Sequence, residues 1–220
     1  MTPRAVGQRP LLTLGRVDVL RVQVGYRARP DGPAYQHFLL DVPVPEPVSP
    51  DDEDSLEAPR VLTALEPALY VGSDAPRHYS LHQHRWHTSW GASPGALEIG
   101  LLVTAGTRTA ALSTAAHDAV VRAFRNLLEL VGRPEPSRIP RDAAILRARR
   151  SAATAYAVDP DALWLSEEEH HASQNCWTVG LRTAAGDEYD VVIGVVDGYA
   201  GSVRVRQDAG IEVYDSVGSD

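Results

Sequence analysis

The order in which two hydrophobic periods follow one another constrains the fold of this chain more than any other feature. Between Val17 and Tyr26 the apolar residues recur every second position, with Leu20, Val22, Val24 and Tyr26 on one face of a half-buried strand. RPDGPA (29–34) supplies turn chemistry, and Tyr35 to Val44 returns with Phe38, Leu40, Val42 and Val44 aligned, so the two runs read as a hairpin. A second hairpin is expected from His78–Trp90 and Ala96–Thr104, the latter carrying Leu97, Ile99, Leu101 and Val103 on one face. Residues 107–112 are a candidate short strand. The period then changes to 3.6. Ser113 or Thr114 caps a helix whose stripe is Ala116, Val120, Phe124, Leu127, Leu128 and Val131, stopped by Gly132 and Pro134. Pro140 opens another helix, with Ile145, Ala148, Ala152 and Tyr156 inward and arginines outward.

After DPD (159–161) the period of two resumes at 162–169, 174–182, 188–196 and 201–206, with 211–214 a candidate fifth strand. Trp177, Val179, Leu181, Val191, Ile193 and Val195 are the expected core of that region. The order β-hairpins, helix, helix, β-meander implies an α+β fold, with antiparallel sheet packed against two central helices. Whether there is one sheet or two stays open. The natural division is 11–132, hairpins plus helix, and 138–215, helix plus meander; the two are separate or fused. The first contains PVPEPVSPDDEDSLEAP, a proline-rich acidic loop within 43–60 whose composition cannot bury enough apolar area to offset its ordering entropy.

Composition excludes several chemistries. All 21 basic residues are arginine. Without lysine there is no Schiff base, no pyridoxal-phosphate anchor, no phosphate-binding loop ending in GK[ST] and no S-x-x-K nucleophile, and arginine cannot stand in because it does not deprotonate in proteins. A single cysteine, Cys176, excludes intrachain disulfides and multi-cysteine metal sites, and calls for no oxidising compartment. No apolar run suits a bilayer or a signal peptide, so the expected setting is cytoplasmic, without a membrane. The net charge is −8, and three-quarters of it comes from Glu46, Asp51, Asp52, Glu53, Asp54 and Glu57. By contrast, 122–150 carries eight arginines against Glu129, Glu135 and Asp142, which reads as the solvated side of two helices or, as the alternative, a surface for RNA or an anionic partner. Only Phe124 and nearby Tyr156 are aromatic there, which argues against nucleic acid as its partner.

The helix at 140–157 followed by CWTVGLRTAAGDEYDVVIGVVDGYAGSVRVR resembles the PepSY-type or cystatin-like unit, in which a helix precedes an antiparallel meander. The resemblance rests on the W-x-V-x-L-R-T-x-x-G-x-E-Y spacing and covers about a third of the chain. It implies a binding or inhibitory role and brings no catalytic residues.

LHQHRWHTSWGASPG (81–95) holds the most chemistry per residue. GASPG has the form of a nucleophile elbow, but Pro94 has no N–H to help hold an oxyanion, and a strand follows where a helix is required. Gly91–Gly95 therefore reads as a hairpin turn, with Ser93 inert. On a strand, His82 and His84 share a face, close enough for two imidazoles to meet one ion, while His87 falls on the other face. EEEHH (167–171) pairs Glu168 with His170 on one face and Glu169 with His171 on the other. A carboxylate beside an imidazole suits proton transfer, and the same run suits a strand edge blunted against association. Cys176 is expected to be buried and inert. Arg204 and Arg206 share a face, where they clamp an anion or pair with Glu188 or Asp190.

Two functional classes follow. One is a non-catalytic accessory, regulatory or immunity-type factor that recognises a macromolecule, most simply a protein. In that class no cofactor is required. The other is a small metal-assisted hydrolase, or a cyclase or isomerase, drawing on the strands at 82–87 and 168–171. There His82 and His84 ligate zinc or another divalent ion, and Glu168 or His170 moves the proton. Oligomeric state is not encoded in any pattern of the chain.

Overall fold

A computed structural model of the chain describes residues 17–45, 56, 58–86 and 95–208. The strands fall where alternation places them: β1 (Val19–Arg27), β2 (Ala34–Pro43), β3 (Tyr79–Trp86), β4 (Ala96–Thr104), β5 (Trp164–His171), β6 (Cys176–Arg182), β7 (Glu188–Ile193) and β8 (Ser202–Asp208). The helices are α1 (Ala58–Leu65), α2 (Arg108–Ala111), α3 (Thr114–Val131) and α4 (Arg141–Tyr156). All eight strands join one sheet in the order β3-β4-β1-β2-β8-β7-β6-β5. Neighbours run antiparallel except β1 and β4, which are parallel. The fold is α+β, and the question of one sheet or two resolves to one.

The two long helices lie on opposite faces of that sheet. Leu20, Val22, Val24 and Tyr26 of β1 and Phe38, Leu40 and Val42 of β2 are buried in a core with Val120, Phe124, Leu127 and Leu128 of α3. A second core joins Val179 and Leu181 of β6, Val191 and Ile193 of β7 and Val203 and Val205 of β8 to Ala144, Ala148 and Ala152 of α4. Strand β2 fixes the relation between them. Phe38 belongs to the first core, whereas neighbouring Leu39 packs on the second, and the His37 ring stands edge-on to Tyr156 of α4 at 5.0 Å. Successive residues of a strand point to opposite faces, so α3 and α4 cover opposite sides. Each covers one half of the sheet. Among the described residues, two half-faces, diagonal to one another, are left without a helix.

Several expectations need correction. Residues 107–112 form no strand: Thr107 accepts from Ala110 N–H and caps the short helix α2. The inward stripe of α4 is Ala144, Ala148, Ser151 and Ala152, with Ile145 only half-buried. Small residues let that helix approach the sheet closely, and the larger Ile145 is displaced to its flank. Helix α1 was not expected, and it ends the loop read over 43–60: Leu56, Val61 and Leu65 are buried in the first core. The acidic stretch 46–55 and Glu57, the turn at 87–94 with His87 and Ser93, and the candidate strand 211–214 lie outside the described residues.

The loop 194–201 between β7 and β8 fastens the two halves. Val196 enters the first core. Asp197 receives Arg125 of α3 through two hydrogen bonds, 2.6 and 3.1 Å, and also Arg133 just beyond that helix. The hydrogen bond from Arg125 is the main reason its carboxyl is held below the usual range. Arg147 of α4 donates to Ala200 O, and Asn175 donates to Gly198 O at 3.0 Å and Ser137 O at 3.3 Å. Glycine is required twice. Gly198 has φ +71°, and a Cβ on Gly201 would lie 2.4 Å from Asp41 O. The arginines of 122–150 are thus partly structural, tying α3 and α4 to a single turn.

Candidate functional site

The half-face left open beside α4 is polar, and its residues come in rows across the sheet. The registers place His84 of β3 opposite Glu98 of β4, Glu98 opposite Arg21 of β1, and Arg21 opposite Asp41 of β2. Arg21 lies 3.4 Å from the Glu98 carboxylate and 3.6 Å from that of Asp41, so the row is held by alternating charge. In the next row stand His82, Gly100, Gln23 and Leu39. Behind Gln23 the imidazole of His37 is buried. Its pKa is pushed down to about 4 by desolvation. Gln23 Nε2 lies 3.0 Å from His37 Nδ1, and an amide N–H can only donate, so this contact uses the neutral ring with Nδ1 accepting.

Helix α4 and the segment leading into it wall this floor. Together they enclose a trough of about 1070 Å³, with Arg138, Ile139, Leu146, Arg147 and Arg150 on the wall side. Leu146 is half exposed there. Four arginines face two carboxylates around the trough. Arg147 is committed to Ala200 O, and Arg21 to its two neighbours, but no ion pair among the described residues engages Arg138 or Arg150. Both are exposed. The trough therefore carries a surplus of positive charge beside a small apolar ledge.

The sequence-derived candidates divide. His82 and His84 do share a face and lie in the trough. Glu168 and His170 do not come near them. β3 and β5 are the two edges of the sheet, seven strand spacings apart, or roughly 34 Å at about 4.8 Å each. Glu168 pairs with Arg141, and His170 stacks on Trp177 at 4.5 Å, each occupied in the second core's rim. Among the described residues, no three His, Cys, Asp or Glu side chains are grouped to hold a metal ion. The proton-moving pair and the two imidazoles thus cannot act on one centre, because strand order puts them at opposite ends of the sheet.

The remaining candidates sit on the other open half-face, over β5–β8. Cys176 is buried, which pushes its thiol up and away from nucleophilic use. Arg206 pairs with Asp190 at 3.1 Å and Arg204 approaches the same carboxylate at 3.9 Å, the cross-strand arrangement expected. His171 lies 3.5 Å from Glu169 and 3.1 Å from the Thr178 hydroxyl. The carboxylates of Asp190 and Glu169 are engaged there, and the Nε atoms of Arg204 and Arg206 stay buried without a hydrogen-bond partner among the described residues.

Sequence reasoning missed Arg21, Asp41 and Glu98 as site residues, and reached Arg138 and Arg150 only as members of a broad basic zone. The available signal was the polar side of each alternating strand: Arg21 and Gln23 interleave with Leu20 and Val22, as Glu98 and Gly100 do with Leu97 and Ile99. No described helix is long and apolar enough to cross a membrane. The sequence matches no family model, and neither a curated protein nor a solved structure resembles the chain.

Proposed function

We propose that this protein is a non-catalytic binding factor that recognises an acidic, extended segment of a protein partner in the trough beside α4. The single observation that carries this reading is the charge surplus there among the described residues, with Arg138 and Arg150 in no ion pair with any of them across from the Arg21 row. Shape supports a chain segment over a metabolite. Small-molecule pockets run about 300–1,000 Å³ and enclose most of the ligand, whereas this trough, at the top of that range, lies along an open sheet face. Nucleic acid fits less well, since none of the described lining residues is Phe, Tyr or Trp to stack a base. The role belongs to the accessory, regulatory or immunity-type class, in the cytoplasm, because nothing in the chain calls for an oxidising compartment.

Fluorescence anisotropy with labelled decapeptides tests the reading. A glutamate-rich peptide is expected to bind at least tenfold more tightly than a lysine-rich one, with an affinity that falls as salt rises. The double variant Arg138→Ala/Arg150→Ala should weaken it at least fivefold. Equal affinity for both peptides, or an unaffected double variant, would remove the proposal.

A further inference from the structure

The two edges of the sheet are built differently, and the difference bears on how such a segment is held. β5 is defended: Glu167, Glu168 and Glu169 crowd its centre, and its ladder to β6 slips between Leu165 and Glu167. Bulges and charges of this kind deter strand addition. β3 has no bulge and no carboxylate, and Arg85 is its single charged side chain. Its register with β4 runs without a shift from Tyr79 to Trp86, and residues 75–86 contain no carboxylate.

The hydrogen-bond phase of β3 can be read from its start. Thr104 N–H donates to His78 O at 2.8 Å, so the 78/104 pair is of the hydrogen-bonded kind and the 79/103 pair is not. Alternate residues then turn their backbone groups the same way. Ser80, His82 and His84 face β4, while Tyr79, Leu81, Gln83 and Arg85 direct N–H and C=O outward. Among the described residues no strand takes up those four donors and four acceptors.

Resting on the trough reading, we infer that the acidic partner chain, beyond the part held in the trough, docks as a ninth strand on β3, continuing the sheet past its outer edge. Strand addition draws affinity from main-chain hydrogen bonds and selectivity from alternating side chains. The side chains flanking the docked strand select for acid: His82 and His84 line one side of this edge and Arg85 the other, with no carboxylate among them. Partner residues opposite His82 would stand at the lip of the trough. A second copy of this chain is a poorer occupant, because residues 75–86 would bring no carboxylate to meet these donors.

Proline at an outward position removes an edge donor while sparing the β3–β4 ladder, so Gln83→Pro is the diagnostic variant. The probe is an acetylated decapeptide alternating glutamate with threonine. It should bind Gln83→Pro at least tenfold more weakly than the unmodified chain, at unchanged thermal stability. A peptide N-methylated on alternate amides should lose as much against the unmodified protein, which keeps the test independent of the variant's folding. Hydrogen exchange at Leu81, Gln83 and Arg85 should slow at least tenfold when peptide is bound. Binding lost in Arg138→Ala/Arg150→Ala but untouched by Gln83→Pro and by N-methylation would overturn the ninth strand and leave the trough reading standing. Loss on Gln83→Pro and N-methylation, with the arginine double variant unaffected, would support the strand and remove the trough. No binding to any form would remove both. Dimerisation without peptide, abolished by Gln83→Pro, would assign the edge to a second copy and overturn the proposal.

Discussion

The two open half-faces of the sheet are equally polar but are resolved in different ways. Over β6–β8 the charges answer one another on adjacent strands, with Asp190 shared by Arg206 and Arg204 and Glu188 paired to Arg182 at 2.7 Å. Asp190 and Glu188 are each engaged there, while the Nε atoms of Arg204 and Arg206 are buried without a hydrogen-bond partner among the described residues. Beside α4 the strands supply a self-satisfied row, His84, Glu98, Arg21 and Asp41, and the wall then adds arginines that the row does not need. Polarity on a sheet face therefore does not mark a site; charge left over after neighbours are matched does. The covering helices differ as well. α3 fills its core with Phe124 and leucines, while α4 lies close on alanine.

That contrast can be broken first at the helices. Phe124→Ala empties the centre of the first core and is expected to cost about 4 kcal/mol by urea unfolding, in the range for buried aromatic truncation. The next largest effect concerns the boundary between the halves. His37 is buried with its pKa lowered to about 4, so the folded chain holds fewer protons than the unfolded one between about pH 4 and 6.5. Its contribution is complete above pH 6.5 and is lost as pH falls towards 4, by at most about 3 kcal/mol. The pH slope of stability in that window should flatten in His37→Phe, and an unchanged slope would contradict the burial assigned to this ring. Adding volume should harm α4 as removing it harms α3. Ala148→Leu forces α4 off the sheet and is expected to cost about 2 kcal/mol, an overpacking effect.

Smallest of all, and most informative about the faces, is the pair Arg206→Ala and Arg150→Ala. Removing Arg206 deprives Asp190 of its nearer partner and should cost about 0.5–1 kcal/mol. Removing Arg150 deprives no described carboxylate of a partner, and chemical denaturation should register less than about 0.5 kcal/mol. A larger cost at Arg150 than at Arg206 would mean that the trough charge is structural.

Much of the fold was legible because it is local. Alternation placed Leu20 to Tyr26, Leu97 to Val103 and Val179 to Ile193 correctly, and Ser113 accepts from Ala116 N–H as an N-cap should. What escaped was long-range or weakly patterned. No local signal pairs β1 with β4 in parallel, and α1 is a single short helix behind a proline-rich run. In α4 the stripe shifted from Ile145 to Ala144, since close approach to a sheet favours the smaller residue. The site divides along the same line. That His82 and His84 share a face follows from the period of two; that Glu168 and His170 lie on the opposite edge depends on strand order, which periodicity does not contain. The trough arises only where α4, packed on one half, overhangs the other.

Amide chemical-shift mapping on the isotope-labelled protein, titrated with a glutamate-rich decapeptide, tests most directly whether leftover charge marks the site. The account predicts perturbations centred on Arg21, Asp41, Glu98, Leu146 and Arg150, with Thr178, Val192 and Arg204 on the matched face unmoved. Perturbations gathered on that second face, or spread evenly over both, would contradict it.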